Sequence, residues 1–165
     1  MKRMLGLAVA VALVAVPQPS VAGTWVNGGT FDFQRNVGIS FLRLLWEPGE
    51  AQMTIRCDEL DGLWVDAGVA GDGATTGAAL ATVTLTFLQA GVSTEIAAEG
   101  PVVVRGDGAV LVSIAGPAAA PLGPAFLTPF DALTVTIGDV TLPVPVEGLG
   151  ERLTALADRC PAWPR

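Results

Sequence analysis

The sequence predicts a mainly β fold, an antiparallel sandwich or curled sheet with one C-terminal α-helix tied down by a disulfide. Three observations carry this expectation. Short runs of alternating apolar and polar residues recur between Gly, Pro and Asp clusters. One helical stripe is convincing, and it stands at the end of the chain. The two cysteines, Cys57 and Cys160, fall in an alternating run and on that stripe respectively.

The chain opens on Met1-Lys2-Arg3, an uncharged apolar run over residues 5–16, and then Pro17, Pro19 and the small residues Ser20-Val21-Ala22. This order reads as a cleaved export signal over 1–22, with 23–165 as a single β-rich domain. The apolar run falls short of the roughly 20 residues that span a bilayer, so no stable membrane insertion is expected after cleavage. The expected location is the periplasm, or the medium if export continues. In an oxidising compartment an even pair of cysteines reads as a disulfide, Cys57–Cys160.

The first strand read is Val37–Trp46, followed by a turn at Glu47-Pro48-Gly49-Glu50. Residues 52–57 alternate, with Met53, Ile55 and Cys57 on one face and Thr54 and Arg56 on the other. Residues 58–62 form the turn of a hairpin and 63–69 its returning strand. A Gly-rich connection occupies 70–77; no Lys follows it, so it lacks the phosphate-binding pattern. Residues 81–87 alternate Val83, Leu85 and Phe87 with threonines. Shorter strands are expected at 92–98, 102–105 and 109–114, the last two joined by Gly106-Asp107-Gly108.

Residues 115–124, rich in Ala and Pro, read as a surface loop. A helical turn over 124–131 is expected to lay Phe126, Leu127 and Phe130 on the sheet. Strands 133–137 and 140–146 pair across Gly138-Asp139. The helix spans 148–160, with Leu149, Leu153, Leu156 and Cys160 on its apolar stripe and Pro161 as its stop.

Composition narrows the chemistry. Residues 23–165 carry seven Arg against sixteen Asp and Glu, a net charge of −9. Nucleic acid and anionic lipid surfaces favour Lys and Arg clusters, so neither is an expected partner. The absence of His removes Ser-His and Cys-His couples and His-bearing zinc sites. No catalytic residue, cofactor or metal is therefore expected.

Four residues are candidates for contact with a partner. Asp58, Glu59 and Asp61 form the densest acidic group; they lack EF-hand spacing and read as a solvated hairpin turn. Trp163 lies just beyond the helix, where it either caps the end of the core or stands exposed for contact, since Trp is enriched where proteins bind one another. Trp25 is expected to cap the core near the mature N-terminus. Arg105-Gly106-Asp107 coincides with a strand end and turn, which accounts for it without an adhesive role.

The segments Thr54-Ile55-Arg56-Cys57, Ala125-Phe126-Leu127-Thr128-Pro129-Phe130, the strand at 133–137, and Gly148-Leu149 with Leu153, Leu156 and Cys160 carry a family likeness. Over about 36–163 the chain resembles the TagO/VasI-like periplasmic accessory proteins of type VI secretion systems. Residues 23–35 match no part of that pattern. The resemblance implies an accessory role in envelope assembly and brings over no catalytic residue.

The expected function is that of an exported, non-enzymatic binding or structural module. Its expected partner is a protein of the cell envelope with a basic surface. Two other classes stand beside this one. One is a glycan hydrolase working without His through two of Asp32, Asp58, Asp66 and Glu95; the other is a secreted adhesive or inhibitory domain.

Overall fold

The computed structural model describes residues 23–46, 51–69, 79–104 and 110–164. Nine strands form one antiparallel sheet: β1 (Gly23–Asp32), β2 (Val37–Trp46), β3 (Ala51–Asp58), β4 (Gly62–Val69), β5 (Leu80–Gln89), β6 (Val92–Val104), β7 (Val110–Ala115), β8 (Ala132–Ile137) and β9 (Val140–Val144). Two helices complete the described residues, α1 (Leu122–Leu127) and α2 (Leu149–Asp158), with a single 3-10 turn at Gly116–Ala118. The strand order is β1-β2-β3-β4-β7-β6-β5-β8-β9.

The sheet is open, and β6 is where it turns. Residues 92–101 of β6 pair with β5, while Val102, Val103 and Val104 pair with β7. The transition falls at Gly100-Pro101. A side chain at Gly100 would strike the Ser113 carbonyl on β7, so only glycine lets the two strands approach there. This continuity corrects the expectation of two separate strands at 92–98 and 102–105.

Alternation places one side of each strand in a common core. Leu44, Met53, Ile55 and Val65 from one half of the sheet and Val83, Leu85, Leu133 and Val135 from the other belong to one contiguous buried cluster. The two ends of the sheet are joined by side chains of β1 and β2 that reach residues 143 and 145 at the other end, with no ladder between them. Trp25 Nε1 donates to the Pro145 carbonyl at 2.8 Å, and Trp46 Nε1 donates to the Pro143 carbonyl at 3.0 Å. Trp25 thus caps the core as its position implied. Pro143 lacks an N–H and stands on the edge strand β9, where it weakens the edge as a template for a further strand.

The C-terminal helix α2 packs on β2, β3 and α1, burying Leu149, Leu153, Leu156 and Ala157. Cys160 follows it and bonds to Cys57 on β3, with the two Cα atoms 5.8 Å apart. The strand alternation and the stripe through Leu149, Leu153 and Leu156 stand, but the helix expected over 148–160 ends at Asp158, so Cys160 reaches Cys57 from the turn that follows it.

Three local expectations need correction. Residues 23–32 form a full edge strand, although the reading above assigned none. The Ala- and Pro-rich segment 115–124 is not a surface loop: Ala119 and Leu122 are completely buried, and α1 begins inside it. The helical turn expected over 124–131 is α1 at Leu122–Leu127; of the three apolar residues expected on the sheet, Phe126 is buried and Phe130 half-buried beside Phe87, but Leu127 is exposed. The expected leader 1–22, the turn 47–50, the Gly-rich connection 70–77 and the Arg105-Gly106-Asp107 segment lie outside the described residues. Among the described residues no helix is long and apolar enough to cross a membrane.

Candidate functional site

The outward face of β1, β2, β3, β4 and β7 carries side chains that the core does not use. Register aligns Val26, Arg43, Thr54, Asp66 and Ser113 in one row across these five strands. The neighbouring row is Gly28, Phe41, Arg56, Trp64 and Ala115. Two arginines, a carboxylate, two hydroxyls and two aromatic rings are thereby brought together from separate strands.

Their contacts are specific. The Arg43 guanidinium lies 5.3 Å from the Phe41 ring centroid, and that of Arg56 lies 4.1 Å from the Trp64 ring. Arg56 Nε also donates to Asp66 Oδ2 at 3.0 Å, while Ser113 Oγ donates to Asp66 Oδ1. Both carboxylate oxygens of Asp66 are thus engaged. Arg43 is exposed and has no carboxylate partner among the described residues. The Phe41 ring fills the space that a side chain at Gly28 would need, which accounts for glycine on the edge strand opposite it.

Of these, Phe41, Arg43, Arg56 and Asp66 border a groove of about 460 Å³, within the size range of ligand sites. Ile39 and Leu111 contribute apolar wall, and Thr30, Gln52 and Thr54 contribute neutral polar groups. Such a surface can bind a partner through an oriented guanidinium and surrounding hydrogen bonds. Trp64 Nε1, by contrast, is buried without a hydrogen-bond partner among the described residues.

The contact candidates read from sequence lie elsewhere, and two of them are corrected. Trp163 is buried at 4% exposure, because the chain turns back after α2 and its indole N–H donates to the Gly123 carbonyl on α1 at 3.3 Å. It is a core residue. Asp58 has no solvent exposure; its Oδ1 accepts the backbone N–H groups of Leu60 and Asp61, and its Oδ2 lies 2.8 Å from Arg35 Nη1.

Burial pushes the Asp58 carboxyl upward, but the two backbone donors and Arg35 outweigh it and hold the group below the usual carboxylate range. Glu59 and Asp61 are exposed. Asp61 also binds Arg35, at 2.7 Å, and its hydrogen bond is the main reason the Arg35 guanidinium is held above its ordinary value. Arg35 therefore offsets one of the three negative charges that made this hairpin a candidate for a basic partner.

The carboxylates considered for hydrolysis have separate structural tasks. Asp32 accepts the backbone N–H groups of Gln34 and Arg35, Asp58 anchors the neighbouring hairpin turn, and Asp66 holds Arg56. Glu95 stands on β6 opposite Thr86. No group of three or more metal-ligating side chains gathers among the described residues.

Sequence reasoning placed Arg56 and Thr54 on the outward side of their strand but did not assemble the groove. The usable signal was the hairpin turn at 58–62: it fixes Arg56 opposite Trp64 and Thr54 opposite Asp66. Comparison with known protein families, curated proteins and solved structures gives no match.

Proposed function

We propose that the chain is an exported contact module of the cell envelope, working through the outward groove of β1, β2, β3, β4 and β7. The observation that carries this reading is Arg43: an exposed guanidinium 5.3 Å from the Phe41 ring centroid at the groove, with no carboxylate partner among the described residues. Charged groups on a surface without internal partners are available to a binding partner. The Cys57–Cys160 disulfide supports an oxidising compartment, and the leader-like residues 1–22 support export to the periplasm.

The resemblance to TagO/VasI-like proteins gives the proposal its most specific form, an accessory component of a type VI secretion apparatus. The module then acts by holding or positioning an envelope protein, without turnover of a substrate. The chain has no His for acid–base work at neutral pH, in keeping with that role.

The test is to incubate purified protein with peptidoglycan, oligosaccharides and ester substrates, and to crosslink it in parallel within intact envelopes. The proposal expects a defined protein adduct and no turnover. Turnover abolished by one Asp or Glu substitution that leaves the fold intact overturns it.

A further inference from the structure

We infer that the outward groove is a carboxylate site, receiving an Asp or Glu side chain from an extended segment of a partner protein. The inference rests on the contact reading above and specifies its ligand chemistry. Arg43, Arg56 and Asp66 together carry a net charge of +1, on a chain that is strongly acidic elsewhere. Asp66 engages Arg56 and Ser113 through its two oxygens, so this pair is satisfied internally. Arg43 supplies the remaining charge.

Its guanidinium lies 5.3 Å from the Phe41 ring centroid on an exposed side chain, and no carboxylate among the described residues takes its N–H donors. Such a planar fork matches a carboxylate in bidentate geometry. A monoanion complements the +1 balance, whereas a phosphate dianion brings excess negative charge beside Asp66. A sugar ring has poor footing: Phe41 lies between Arg43 and the Gly28 backbone, and Trp64 is covered by Arg56. Ile39 and Leu111 offer apolar contact while Thr30 and Thr54 offer hydrogen-bonding groups, the mixture an extended peptide presents in return.

The experiment titrates the isotope-labelled protein with a pool of N-acetylated, C-amidated hexapeptides. One central position is fixed as Glu and the flanks are randomised among uncharged residues. Identical pools with central Gln or phosphoserine, and an oligogalacturonate, serve as comparisons. NMR shifts at Arg43 Nε–H and at the Gln52 and Thr54 amides are the readout.

The expected result is groove-localised saturation by the Glu pool, weakened at least tenfold for the Gln pool and by Arg43→Gln, and weakened with rising salt. Arg43→Lys should retain part of the affinity, and unchanged melting of both variants establishes that the fold persists. Absence of groove shifts at millimolar Glu pool, equal response to the Gln pool, or tighter binding of phosphoserine or oligogalacturonate overturns the inference. If a photocrosslinker at Thr54 captures an envelope protein but the Glu pool fails, the contact reading survives and the carboxylate assignment falls. If neither binds, both fall.

Discussion

Arg35 and Asp58 join two hairpins at one end of the sheet, with Arg35 Nη1 2.8 Å from an Asp58 oxygen. Asp58 also holds its own turn through the Leu60 and Asp61 N–H groups. Asp58→Ala removes an acceptor from two backbone donors and should cost about 1–3 kcal/mol. The guanidinium keeps 40% of its exposure, so solvent limits what its loss of a partner adds. Urea unfolding at neutral pH checks the value.

The same carboxyl sets an acid limb. Its folded pKa lies below its unfolded value, so the unfolded chain binds more protons between the two. Its stabilising contribution is present above about pH 4, the ordinary Asp range, and is lost as pH falls through the depressed folded value. Asp58→Asn should flatten this part of the stability profile. An unchanged acid limb in that variant contradicts the assignment.

Trp163 should behave as core. Trp163→Ala is expected to cost about 3–5 kcal/mol, as large core truncations do. Trp163→Phe loses the hydrogen bond to Gly123 and should cost less. At temperatures where both variants remain folded, partner capture should be unaffected; a stable Trp163→Ala protein with lost capture would restore the contact role.

The helix phase and staple give a further pair of outcomes. Leu153 is completely buried, so Leu153→Ala should cost about 2–5 kcal/mol. Arg152 donates to the Asn27 side chain at 2.8 Å, and Arg152→Ala should cost below about 1 kcal/mol. Cys160→Ser opens a loop of 103 residues and should remove up to about 4–5 kcal/mol. Thermal melting of the three variants ranks them.

Legibility followed the strength of local pattern. The strand Val37–Trp46, the alternation ending at Cys57 and the stripe through Leu149, Leu153 and Leu156 were readable because burial there repeats at the period of the element. Strand β1 was hidden: as an edge it is exposed at most positions, and Gly28 and Gly29 replace the side chains that would mark alternation. The start of helix α1 was masked by Pro and Gly, residues of low helix propensity that tertiary packing overrides around Leu122. The groove was least legible, since Arg43, Arg56 and Asp66 meet only through the registers of β2, β3 and β4. No local motif contains all three.

Contact through this groove is the central claim, and position-specific crosslinking tests it most directly. A photoreactive phenylalanine derivative is placed at Thr54 in the groove or at exposed Thr141 on the edge strand β9, and cells are irradiated. The account predicts one defined envelope adduct from Thr54, none from Thr141, and loss of the Thr54 adduct with Arg43→Gln. No adduct from Thr54, or the same adduct from Thr141, would contradict it.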